Sequence, residues 1–159
     1  MKIKKVEYNN RRKTFEVSTH KKVYLYPYAN LDIQPSSMVR EAYVDEELGR
    51  EGFTYVLDSG QEDTVHIDHV LEYNQEPTHL RDTLLYKLTL EAQRQVDKSR
   101  LSKREIIRRL GTSASQFYRL LDQRNYRKSI GQLLALLAIL GCEVELSVKG
   151  CRSKSPAGV

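Results

Sequence analysis

At Pro77 the hydrophobic period of the chain changes. Before it, apolar residues alternate with polar ones, the period of a strand whose side chains point to opposite faces. After it, Leu80, Leu84, Leu85, Leu88, Ala92 and Val96 recur at helical spacing, with Arg81, Lys87, Glu91 and Arg94 between them. One layer of secondary structure cannot serve both periods. The pattern therefore predicts an α+β protein: a small domain rich in antiparallel sheet, residues 1–76, then an all-helical domain, residues 77–149. The small and polar stretch at 150–159 predicts a flexible tail.

Within the first part, KIKKVEY and TFEVST flank the polar turn NNRRK, and VYLYPY follows after HKK, so three strands should form a meander. Pro27 should end the third strand or sit at an edge. A second hairpin is expected at FTYVLDSGQEDTVHI, with Phe53, Tyr55 and Leu57 on one face and a turn at Ser59-Gly60. Residues 31–44 predict no regular element, and residues 68–74 predict one helical turn capped by Asp68. In the second part a long amphipathic helix should cover about 80–98. Two shorter helices follow, then an apolar one at about 130–140. CEVELSVK alternates and predicts a final strand.

The length of 159 residues suits one medium domain or two small ones, and 40% hydrophobic residues can build packed cores. The longest apolar run, Leu133 to Leu140, is far short of the roughly 20 residues that span a bilayer, so no membrane association is expected. MKIKKVEYNN is basic without an apolar stretch behind it and does not read as a secretory signal. Cys142 and Cys151 make a weak case for a disulfide, and a cytoplasmic location is the expectation. The overall charge of +5 hides an asymmetry. Residues 1–76 hold 10 Lys and Arg against 14 Asp and Glu, a balance of −4; residues 77–159 hold 16 against 7, a balance of +9. An acidic half joined to a basic half implies different partners, and the basic half suits a polyanion.

The basic half has its densest pattern in LSKREIIRRLGTSASQFYRLLDQRNYRKSI, residues 101–130. Ser102 and Glu105 have the capping-box spacing that starts a helix, and Ser113 and Gln116 repeat it. Gly111 stands where a left-handed residue would end the first helix. Ile106, Ile107 and Leu110 give that helix its apolar face; Phe117, Leu120 and Leu121 give the second its own. So short a turn makes the two helices cross steeply and exposes the second. Its polar face then consists of Ala114, Ser115, Gln116, Tyr118 and Arg119. Small residues permit close approach to a major groove, and arginine can bind guanine with two hydrogen bonds, so these five are the candidate base-contacting residues of a duplex DNA reader. Lys103 and the following loop, with Arg124, Asn125, Tyr126, Arg127 and Lys128, are candidate phosphate contacts that fix register without reading sequence.

The stretch LSKREIIRRLGTSASQFYRLL resembles the helix-turn-helix of phage repressors and Cro, the xenobiotic-response-element family. It departs from that family's pattern at Ile107 and Phe117, where the family has smaller residues. Beyond it, YLYPYANL, YVDEELGREGFTYVLDSG, EDTVHIDHVLEYN and YRKSIGQLLALLAILG resemble a bacterial family known as domain of unknown function 2442, here fused to a helix-turn-helix. These resemblances imply an α+β first domain, a DNA-binding second domain of the phage-repressor type, and an antitoxin-like context.

Other signals are weaker. The grouping His66, Asp68, His69 would need further ligands to hold a metal, and neither metal nor cofactor is expected. Tyr24, Tyr26 and Tyr28 alternate and suit the packing face of a sheet better than a stacking platform in an acidic half. No Ser-His-Asp grouping, Walker loop or paired-carboxylate motif is legible, so an enzyme is not expected, although a spatial triad is not visible in sequence. The expected function is sequence-specific duplex DNA binding and transcriptional repression. A second reading is an antitoxin whose acidic residues Glu46, Glu47, Glu51, Glu62 and Asp63 grip a small basic protein. A third is an enzyme with its site in residues 1–76. A homodimer is expected, because one reading helix covers few base pairs. Packing Ile130, Leu133, Leu134 and Leu137 inward on the last helix would leave Ala135, Leu136 and Ile139 for the second subunit.

Overall fold

A computed structural model describes residues 1–34 and 36–150. It is a mixed α+β structure with two three-stranded antiparallel sheets and five α-helices. The chain divides into two compact units, Met1–Asp82 and Thr83 onward. The division falls beyond Pro77 because the segment after it is tied to the first unit: His79 Nδ1 lies 3.8 Å from Asp68.

The first sheet is the expected meander, β1 (Ile3–Asn9), β2 (Thr14–Thr19) and β3 (Val23–Pro27). Its first turn is built by Asn9, whose Oδ1 accepts from the N–H groups of Arg11 and Arg12. The second sheet is β4 (Val39–Val44), β5 (Gly52–Leu57) and β6 (Glu62–His66). β4 occupies part of the region expected to be irregular. A register shift between Val39 and Glu41 breaks its alternation, which is why period two does not show in the sequence. Phe15 is fully buried, with ring centroids of Tyr28, Phe53 and Tyr55 at 4.8, 4.9 and 5.6 Å. Tyr24 and Tyr26 are buried in the same core. Asn10 joins the sheets: its Nδ2 donates to Val39 O, and its Oδ1 accepts from Val39 N and Tyr28 Oη.

α1 (Ile67–Tyr73) closes this core with Ile67, Val70 and Leu71. Its N-cap is His66 and not Asp68: His66 Nδ1 accepts from Asp68 N at 3.3 Å. α2 runs Pro77–Lys98, three residues earlier than the periodicity predicts, because proline at a first helical position needs no hydrogen-bond partner for its nitrogen. Glu76 just before it is buried, accepting from Tyr24 Oη at 3.2 Å and pairing with Lys22 Nζ at 3.0 Å.

In the second unit, α3 (Lys103–Leu110), α4 (Ala114–Leu121) and α5 (Ile130–Ile139) pack with α2 around Ile106, Phe117, Leu133, Leu136 and Leu137. Three expectations are corrected here. Leu84 is exposed on α2, where Leu85, Ala92 and Val96 carry the buried stripe. On α5, Leu136 is 0% exposed and belongs to the core, while Ile130 and Leu134 face outward at 43% and 39%. A helix that is apolar nearly all round gives no contrast from which its inner face can be read. Finally, residues 142–149 form no strand; they run as irregular chain with Leu146 and Val148 both 86% exposed. Cys142 is a free thiol. Cys151 and the expected tail after Gly150 lie outside the described residues. No helix among the described residues is long and apolar enough to cross a membrane.

Candidate nucleic-acid interface

Local chemistry sets the α3–α4 arrangement. Ser102 Oγ accepts from Glu105 N, and Ser113 Oγ accepts from Gln116 N, each at 3.2 Å. Each side chain thereby satisfies one of the orphan donors of a helix start. Gly111 ends α3 at φ 66°, ψ 34°, the left-handed conformation expected of it. Glu105 does not complete its box. Its carboxylate instead accepts from Arg108 Nη2 at 2.7 Å and Arg109 Nε at 2.8 Å. With a third bond, from Arg108 Nε at 2.9 Å, the hydrogen bonding of Arg108 first and of Arg109 second holds its pKa down at about 2. Arg108 and Arg109, two of the three arginines of α3, are therefore partly neutralised by their own helix.

α4 turns Phe117 and Leu120 into the core and leaves Ala114, Ser115, Gln116, Tyr118 and Arg119 exposed. Tyr118 is 55% exposed and rests edge-on against Phe117, centroids 5.4 Å apart. The exposed face is thus a short strip of small and polar groups ending in a cation, as the sequence predicts.

The loop after α4 is more structured than its composition implies. Asp122 Oδ1 accepts from Arg124 N at 2.9 Å. Asn125 Nδ2 donates to Arg119 O, the end of α4, while its Oδ1 accepts from Arg127 N; both distances are 3.1 Å. Asn125 therefore fixes the loop to the helix, with one of its two amide N–H groups used in doing so. Lys128 is corrected. Its Nζ donates to Thr89 Oγ1 at 2.7 Å, Leu120 O at 3.0 Å and Asp122 O at 2.6 Å. All three donors of the ammonium are used internally. Burial lowers its pKa, against the raising influence of Asp122. Lys128 is a staple between α2 and the loop. Lys103, Arg124, Tyr126 and Arg127 are the phosphate candidates left exposed.

Gln116 and Arg119 of α4 line one shallow concavity with Asn125, Arg127 and Lys128 of the loop, Leu120 of α4 and Gln132 of α5. The first two belong to the base-contacting set and the next three to the phosphate-contacting set, so two groups separated in sequence meet in one place, although the ammonium of Lys128 is turned onto Thr89, Leu120 and Asp122. Gln132 is an addition. Its sequence signal is Ser129-x-x-Gln132, a third serine-to-glutamine capping spacing, although Ser129 makes no side-chain cap bond.

In the first unit, Glu46, Glu47, Glu62 and Asp63 line a broad concavity with Tyr43, Asp45 and Thr54 on the β4–β5–β6 sheet. Glu51 is not among its lining residues; it lies 3.4 Å from the N-terminal ammonium. Glu46 is bridged to Arg50 at 2.9 Å. Among the described residues no cluster of three or more His, Cys, Asp or Glu could hold a metal ion.

Comparison of the chain with protein-family models, with curated proteins and with solved structures found no match.

Proposed function

We propose that the second unit binds double-stranded DNA, with α4 as the reading helix of a helix-turn-helix of the phage-repressor type, and that the protein acts as a transcriptional repressor. The observation that carries this reading is the exposed strip Ala114, Ser115, Gln116, Tyr118, Arg119, bordered by Arg124 and Arg127 on a loop tied to the helix end. Small residues let the backbone approach base edges, and Arg119 supplies the two-pronged donor that guanine accepts. The basic balance of residues 77–159 supplies the attraction. The test is selection of duplexes from a random pool by the purified protein. The retained sequences should share a short motif that Arg119→Ala relaxes. Retention without any shared motif would overturn sequence-specific reading.

A second reading is favoured by the acidic concavity of the first unit. It suits a small basic protein such as a toxin, which would make the chain an antitoxin that also regulates its own transcription. Glu46, Glu47, Glu62 and Asp63 would form that surface, without Glu51. The two readings are compatible, since they use different units. Co-expression with a basic neighbouring gene product, followed by co-purification, tests the second.

A further inference from the structure

Residues 142–149, Cys-Glu-Val-Glu-Leu-Ser-Val-Lys, have the alternation of a strand and no strand partner among the described residues. Val144 is 47% exposed, and Leu146 and Val148 are 86% exposed. A strand is stable only when its backbone groups are paired, and an apolar row left in water is costly. We propose that this segment becomes a strand by pairing antiparallel with the same segment of a second copy, centred on Leu146.

The charges select both partner and direction. Centred on Leu146, antiparallel pairing sets Glu143 opposite Lys149 twice, Val144 opposite Val148 twice, and Leu146 opposite its twin. Glu145 then faces Ser147. Every apolar residue lies on one face and every charged pair is attractive. Parallel in-register pairing would instead stack Glu143, Glu145 and Lys149 each on its own like charge. Antiparallel pairing centred on Ser147 would set Val144 against Gly150 and waste apolar contact. The end of α5 offers apolar positions on which such a ribbon could rest. Cys142 N donates to Leu137 O at 2.9 Å, so the strand would leave directly from the end of α5, where Leu134 and Ala138, one turn apart, are exposed. A two-stranded ribbon needs such a surface, because alone it is marginal in water.

The experiment is mass measurement by light scattering on the full chain without DNA, so that its outcome is read separately from DNA binding. Wild type at roughly ten micromolar should have twice the 18.5 kDa mass of one chain. Leu146→Lys should have the mass of one chain and keep the helical circular dichroism, because within one chain the side chain is 86% exposed and touches neither core. Glu143→Lys and Lys149→Glu should each weaken association by about tenfold, the size expected for reversing two directly opposed pairs. An equimolar mixture of those two variants should recover the wild-type affinity, since each lysine again faces a glutamate. Glu145→Lys should change association little. A wild-type monomer at a hundred micromolar would overturn the proposal, whether or not residues 142–149 are protected within one chain. So would a dimeric Leu146→Lys, a mixture no better than its components, or a Glu145→Lys as weak as Glu143→Lys.

Discussion

Arg119 and Arg127 border one concavity, yet they should differ in kind. Arg119 is on the exposed strip of α4, so its loss should cost about 1–3 kcal/mol on the selected duplex and relax preference at one base position. Arg127 is on the loop, so its loss should weaken all duplexes alike. Binding of both variants to selected and scrambled duplexes checks this; equal losses on both duplexes from both variants would mean the reading face is misplaced. Glu105 gives a test of a different type. Its pKa is lowered to about 2, chiefly by the hydrogen bond from Arg108. A group depressed in the folded state stabilises above its ordinary value near 4.5 and loses that contribution as pH falls toward about 2. Glu105→Gln should therefore be less stable than wild type at pH 7, and the gap should narrow by pH 3. Urea midpoints at the two values measure it, and a gap that widens in acid would refute the pairing. At this scale the sequence is legible only in part. The exposure of Ser115 and Arg119 follows from the phase of Phe117 and Leu120 on a helix. The internal use of Lys128 and Asn125 does not, because which oxygens a polar side chain can reach depends on the path of the loop.

Single elements are legible where local chemistry determines them. Two serines at the right spacing and Gly111 between them locate α3 and α4 almost to the residue, because caps are local interactions. A Cβ built on Gly111 meets nothing within 4 Å, so the cost of Gly111→Ala is backbone strain alone. It should be about 1 kcal/mol, with Gly111→Asn costing less because asparagine tolerates the left-handed region. Denaturant midpoints decide; equal costs for both would mean that the turn relaxes to another conformation. α5 shows the opposite case. Nearly every position in it is apolar, so the side that faces the core is decided by α2, α3 and α4 and not by its own pattern. Leu136→Ala should cost about 2–5 kcal/mol, whereas Leu134→Ala should stay within roughly 0.5 kcal/mol. Thermal melts that rank the two variants the other way would contradict this packing. β4 was hidden because its register shift removes the alternation by which strands are found.

At the scale of the whole molecule, the change of period at Pro77 and the opposite charge balances divide the chain much as the two units do, since both reflect how each part buries its own core. Charge also sets the last prediction. With the Lys128 ammonium turned inward, the exposed cations among the candidate phosphate contacts are Lys103, Arg124 and Arg127. Each phosphate neutralised releases counterions and contributes about −0.9 to the slope of log affinity against log salt. One copy should then show a slope of roughly −3, and two copies bound together about −5. Restoring Lys128 to the count would steepen both values, so the slope tests the inward lysine as well as DNA binding. Lys128→Met should leave the slope unchanged while lowering the melting temperature, because its ammonium bonds Thr89, Leu120 and Asp122 and no phosphate. The measurement is fluorescence anisotropy on one duplex between about 50 and 200 mM salt. A flat titration would remove the case for DNA, and a slope that Lys128→Met makes shallower would return that lysine to the interface.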